Sequence, residues 1–115
     1  MIKRLALVIA LSLCAAQALA STLYIDEYAQ QSVVTYPAAQ APPITSQTVA
    51  ISGTAASSSA FNTATRLIRI TCDVVCSFLI GTTPTATTSN ARMSAGQTEY
   101  FVVQPGFKIS VISNS

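Results

Sequence analysis

The feature that most constrains this chain is a period of two in its apolar residues. Across residues 66–72, Ile68, Ile70 and Cys72 fall on one side and Leu67, Arg69 and Thr71 on the other. Asp73, Val74 and Val75 interrupt the pattern, and Cys76, Phe78 and Ile80 resume it. Successive side chains of a strand point to opposite faces, so such alternation marks strands with one buried face. Residues 48–52 alternate Val49 and Ile51, residues 99–104 are β-branched and aromatic, and Phe107, Ile109 and Val111 face inward along a last strand after the Pro105-Gly106 turn. No apolar period near 3.6 persists over three turns beyond residue 20. The expected fold is therefore all-β, a small antiparallel β-sandwich or jelly-roll of short strands, preceded by a signal-peptide helix.

That helix is expected from the first twenty residues. Lys3 and Arg4 form a cationic start, residues 5–16 are almost wholly apolar, and Ala18 and Ala20 are small enough for a signal peptidase. Cleavage between Ala20 and Ser21 is expected, with export to the periplasm or beyond. An uncleaved anchor ranks second, because the apolar run falls short of the roughly 20 residues of a spanning helix. A lipoprotein ranks third, since the bulky Leu13 precedes Cys14. Contact with a membrane is thus expected only through this segment.

Removing residues 1–20 also removes Lys3 and Arg4. Arg66, Arg69, Arg92 and Lys108 then balance Asp26, Glu27, Asp73 and Glu99. A neutral chain with scattered cations lacks the stripe needed to neutralise phosphates, so no nucleic-acid partner is expected. Thirteen serines and fourteen threonines lie between Ser21 and Ser115, giving a surface solubilised by hydroxyls. Such a surface repels copies of itself weakly, which favours a homo-oligomer. The expected division is a signal at 1–20, an N-terminal strand or arm with a Pro-rich linker at 21–47, and a sandwich domain at 48–115. Its core is expected to take Ile68, Ile70, Phe78, Ile80, Phe101, Val103, Ile109 and Val111, with Phe61 plugging an edge.

Catalytic chemistry finds no footing. The chain has no histidine, so Cys72 or Cys76 would lack an activating imidazole, and no metal site or cofactor is expected. Asp26 and Glu27 are adjacent, which on a strand sends them to opposite faces and prevents their acting as a pair; a solvated strand end is expected there. Cys72 and Cys76 flank a three-residue interruption read as a tight hairpin turn. They either bond across it in an oxidising compartment or remain two buried thiols in a reducing one. The threonine-rich residues 81–92 read as a surface loop, and Thr82, Thr83, Thr85, Thr88, Arg92 and Tyr100 are candidate contact residues.

The strings Leu23-Tyr-Ile-Asp-Glu-Tyr-Ala29, Thr65-Arg-Leu-Ile-Arg-Ile-Thr-Cys-Asp73, Ile80-Gly-Thr-Thr-Pro-Thr-Ala-Thr87, Asn90-Ala-Arg-Met-Ser-Ala-Gly-Gln-Thr-Glu-Tyr-Phe101 and Val103-Gln-Pro-Gly-Phe-Lys-Ile-Ser-Val-Ile112 cover most of the chain after residue 20. Through them it resembles small virion-associated structural proteins of tailed phages and prophages, of the capsid decoration or cement kind. The resemblance implies a non-enzymatic β-sandwich acting as an oligomer, a decoration- or fibre-like subunit with phage capsid or tail proteins as partners. Proteins of that kind ordinarily begin close to the Leu23 segment and assemble in the cytoplasm, so the leader is a departure. A retained leader goes with a virion-associated location. A cleaved one goes with the alternative, an exported envelope or surface module that recognises a glycan or host component.

Overall fold

The computed structural model describes residues 20–29 and 41–115, and the expected leader helix lies outside them. Eight strands follow in order: β1 (Ser21–Tyr28), β2 (Thr45–Ile51), β3 (Ala56–Ser57), β4 (Leu67–Cys72), β5 (Cys76–Gly81), β6 (Ala91–Met93), β7 (Thr98–Val102) and β8 (Lys108–Ser113). They form two four-stranded sheets, β2-β1-β4-β7 and β3-β8-β5-β6. Every pairing is antiparallel. The all-β expectation holds, and no helix occurs among the described residues.

Alternation decides which residues meet. Leu23 and Ile25 of β1, Val49 and Ile51 of β2, and Ile68, Ile70 and Cys72 of β4 join Cys76 and Phe78 of β5, Met93 of β6, and Ile109 and Val111 of β8 in one buried cluster. The inward rows of both sheets therefore share a single core, closed by Phe61 and Val103 from the connections. Leu23, Ile68, Ile70 and Ile109 are wholly excluded from solvent, and burial of each such side chain contributes about 1.5–3 kcal/mol. Ile80 and Phe101 are only partly buried against this core, and the Phe101 ring lies 5.4 Å from that of Phe78. Gly96 and Gly106 carry φ of 77° and 79° in the turns on either side of β7, a backbone region that side chains with a Cβ rarely enter.

Three sequence expectations change. The segment 73–75 is not a hairpin turn, because β4 and β5 lie in different sheets. Both hydrogen-bonding edges of β4 are taken, by β1 and by β7, so the chain leaving Cys72 must cross to the other layer. Alternation reports which face of a strand is buried, and it is the same for a hairpin and for such a crossing. Of the strand or arm expected at residues 21–28 the structure has the strand, β1, which runs inside its sheet between β2 and β4, and the division expected at 48 falls within β2. Glu27 is no solvated strand end either, being 1% exposed.

Candidate functional site: the open face of the first sheet

Three rungs set by register occupy the outer face of the sheet β2-β1-β4-β7 beyond the Thr22–Ala50 pair at its end. Thr48, Tyr24, Thr71 and Thr98 form one; Ser46, Asp26, Arg69 and Tyr100 the next; Tyr28, Leu67 and Val102 the third. The middle rung is held together by polar contacts. Asp26 accepts a 2.6 Å hydrogen bond from the Ser46 hydroxyl and a 3.3 Å bond from the Arg69 guanidinium. The Asp26–Arg69 pair is partly solvated, with side chains 30% and 38% exposed. It is worth about 0.5 kcal/mol to stability, and its main effect is to cancel the charge at the centre of the face. Thr71 and Thr98 share a hydroxyl hydrogen bond of 2.9 Å in the neighbouring rung.

Around this neutral centre stand Tyr24, Tyr100 and Val102, at 51%, 55% and 70% exposure, apolar side chains left in water while the opposite face of the sheet lines the core. Tyr28 is half-buried, and its phenol pKa is raised by burial first, then by Asp26 and Tyr100, with Arg69 acting in the opposite sense. Nucleophilic chemistry has no arrangement here. The surface offers aromatic rings, hydroxyls and one self-neutralised ion pair, a set suited to contact.

The outer face of the second sheet differs. Ser77 and Ser110 point outward from β5 and β8, yet both are wholly buried, because the threonine-rich segment 82–90 lies over them. Ala86 is buried and donates its amide to the Ser110 hydroxyl at 2.9 Å. Ser57 donates to the Pro84 carbonyl at 3.3 Å, and Asn114 reaches both Ser77 (2.7 Å) and the Thr88 carbonyl (3.1 Å). Thr87 and Asn90 close the far end, the Thr87 amide donating to Asn90 Oδ1 at 2.7 Å. The segment is thus a strap over the sheet, with Thr82, Thr83, Thr85 and Thr88 exposed on its outer side.

Of the expected contact residues, those threonines and Arg92 belong with the second sheet, and Tyr100 with the first. They do not form one patch. The residues missed by sequence reasoning are Tyr24, Asp26, Tyr28 and Arg69. Their signal was the outward half of the β1 alternation, but only the register between β1, β4 and β7 brings them beside Tyr100.

Glu27 works on the inward side of β1. Its Oε1 accepts the Asn62 amide and the Thr65 hydroxyl, each at 2.8 Å, and its Oε2 accepts the Gln47 amide at 3.1 Å. A cleft of about 310 Å³ opens beside it, lined by Thr45, Gln47, Ser59, Ala60 and Asn62. The carboxylate is already committed to three donors, so it anchors the 59–66 connection onto β1 and β2. Cys72 and Cys76 are bonded to each other, with Cα atoms 6.7 Å apart, and the bond links the two sheets at their crossing. Among the described residues no group of three or more His, Cys, Asp or Glu is arranged to hold a metal, and no helix is long and apolar enough to cross a membrane.

These features define a small all-β protein of two antiparallel sheets, one outer face roofed by its own chain and the other open. No protein-family model, curated protein or solved structure matches the chain.

Proposed function

We propose that this chain is a non-enzymatic structural subunit of phage or prophage type, a β-sandwich that decorates or extends a virion and works as an oligomer. The sandwich reading is supported by the one core that the inward rows of both sheets line. The functional reading is carried by the open face of the first sheet, where Tyr24, Tyr100 and Val102 stand exposed around the neutralised Asp26–Arg69 pair. Exposed aromatic side chains without net charge are the composition of protein contact surfaces. The test is quantitative mass spectrometry of gradient-purified particles from cells expressing the full-length chain within its phage or prophage. Recovery in particles at a fixed ratio to the capsid protein is expected; complete absence from them would end the reading.

A second reading, an exported envelope or surface module that binds a glycan or host component, is favoured by the bonded Cys72 and Cys76. Disulfides persist in oxidising compartments. β1 also begins at Ser21, the residue after the expected cleavage point. Surface labelling on intact cells together with retention on a glycan array separates it from the first.

A further inference from the structure

We infer that β7 is the seam along which two copies of this chain join, edge to edge and antiparallel, about a two-fold axis at Tyr100. The inference rests on the oligomeric reading above and names the surface that serves it. β7 ends its sheet. Val103 donates its amide to the Arg66 carbonyl at 2.9 Å, and groups alternate along a strand, so Glu99 and Phe101 bond to β4 while Thr98, Tyr100 and Val102 turn their N–H and C=O groups away from the sheet. Among the described residues nothing takes those groups.

The other edges are short or bordered by other segments of the chain. β2 is flanked by Ser59, whose amide and carbonyl are held by the Gln47 side chain at 3.0 and 3.3 Å. β3 has two residues and β6 three, with Arg92 in its middle. β7 has five, Thr-Glu-Tyr-Phe-Val, with no proline and no cation, so that of the devices that keep an edge from pairing it carries only the inward Glu99.

The strand is also self-complementary. A two-fold at Tyr100 sets it opposite the partner's Tyr100 and sets Thr98 opposite the partner's Val102. Three such pairs exchange roughly six backbone hydrogen bonds. Both of the most exposed apolar side chains, Tyr100 and Val102, then lie along the seam on one face. The only charge in β7 is Glu99, which points to the inward side beside Gln97. Joining extends the open face across two copies into one continuous surface. Five paired residues bury less than the roughly 800 Å² per partner of a standard interface, so the association is reversible and depends on concentration.

The experiment is sedimentation of the protein recovered after expression of the full-length chain, over a concentration series reaching the millimolar range, with Y100K and V102P beside it. Val102 points its N–H off the sheet, so proline there removes a donor to the second copy and none within the chain. The expected result is a monomer–dimer equilibrium whose Kd rises at least about tenfold in both variants, their melting points little changed. Should either variant fold poorly, Tyr100→Cys and Thr98→Cys decide the register. Cα atoms of paired residues about 5.5 Å apart fit a disulfide, so Y100C forms a covalent dimer under mild oxidation and T98C does not. An oligomer unchanged in Y100K and V102P, or one cross-linked through Thr98→Cys alone, overturns the seam while leaving the structural-subunit reading standing. A monomer at every concentration also overturns the seam, and particle recovery then judges the functional reading separately.

Discussion

Cys72 and Cys76 are four positions apart and bonded to each other, yet they end one sheet and begin the other. The bond is a covalent tie at a crossing where Asp73 already exchanges hydrogen bonds with Thr22 of the first sheet and the Ser113 amide of the second donates to the Ser52 carbonyl at 2.8 Å. Closing so short a loop restricts the unfolded chain by about 2 kcal/mol. Reduction, or the pair C72A and C76A, is expected to lower the unfolding free energy by about that amount. In urea the midpoint should fall with little change in slope, since the area exposed on unfolding is nearly the same. An unchanged midpoint would mean that packing and these hydrogen bonds hold the crossing without the disulfide.

Glu27 gathers three donors from two parts of the chain, β2 and the 59–66 connection, and its removal orphans the two in the connection, since Gln47 also donates to the Ser59 carbonyl. Glu27→Ala leaves the buried Thr65 hydroxyl and the Asn62 amide without an acceptor and is expected to cost roughly 3 kcal/mol. Thr65→Val removes one donor and keeps the carboxylate's other two, at a cost of about 2 kcal/mol. Because both act on the same carboxylate, the double variant should fall short of the sum. Urea denaturation of the four proteins in the cycle checks this; strict additivity would show that Glu27 does not organise the 59–66 connection through Thr65.

Much of the strand content was legible in the sequence, because burial on one face imposes a period of two that survives in Ile68, Ile70, Phe78, Ile109 and Val111. What was not legible is pairing. The same alternation allowed β4 and β5 to form a hairpin, and only the occupation of both β4 edges by β1 and β7 rules that out. The short β3 and β6 carry too few residues for a period to register. The open face was hidden for the same reason. Tyr24, Asp26 and Tyr28 sit some 40 residues from Arg69 and further still from Tyr100, and nothing local announces that they share rungs. Glu27 was misread because a carboxylate's partners, here Asn62 and Thr65, lie 35 and 38 positions away.

Ser110 holds the strap to the second sheet through one buried hydrogen bond from the Ala86 amide. Ser110→Ala leaves that amide buried and unpaired, with a global cost of about 1–2 kcal/mol. The sharper consequence is local. Amide exchange at Ala86 and Asn90 should speed up well beyond what the global change explains, while the core amides of β5 and β8 slow or speed only with global stability. If Ala86 exchanges no faster than the core in this variant, the strap is held by its apolar contacts and by Asn114 instead.

The phenol of Tyr28 is displaced upward from its ordinary value near 10, by partial burial most of all, then by Asp26 and Tyr100, against a smaller lowering by Arg69. In the folded protein this proton is therefore retained at pH values where the unfolded chain has already lost it. The native state then binds more protons than the unfolded state, so stability declines as pH rises. The contribution is complete below pH 10 and disappears as pH passes from the unfolded to the folded pKa of the group. Absorbance titration at alkaline pH should show a late-titrating component that Tyr28→Phe removes. Asp26→Asn should bring it earlier and Arg69→Met later, opposite shifts that follow from the opposite signs of the two neighbours. Equal shifts in the same direction would mean that burial alone governs the group and that the Asp26–Arg69 pair does not act on the phenol.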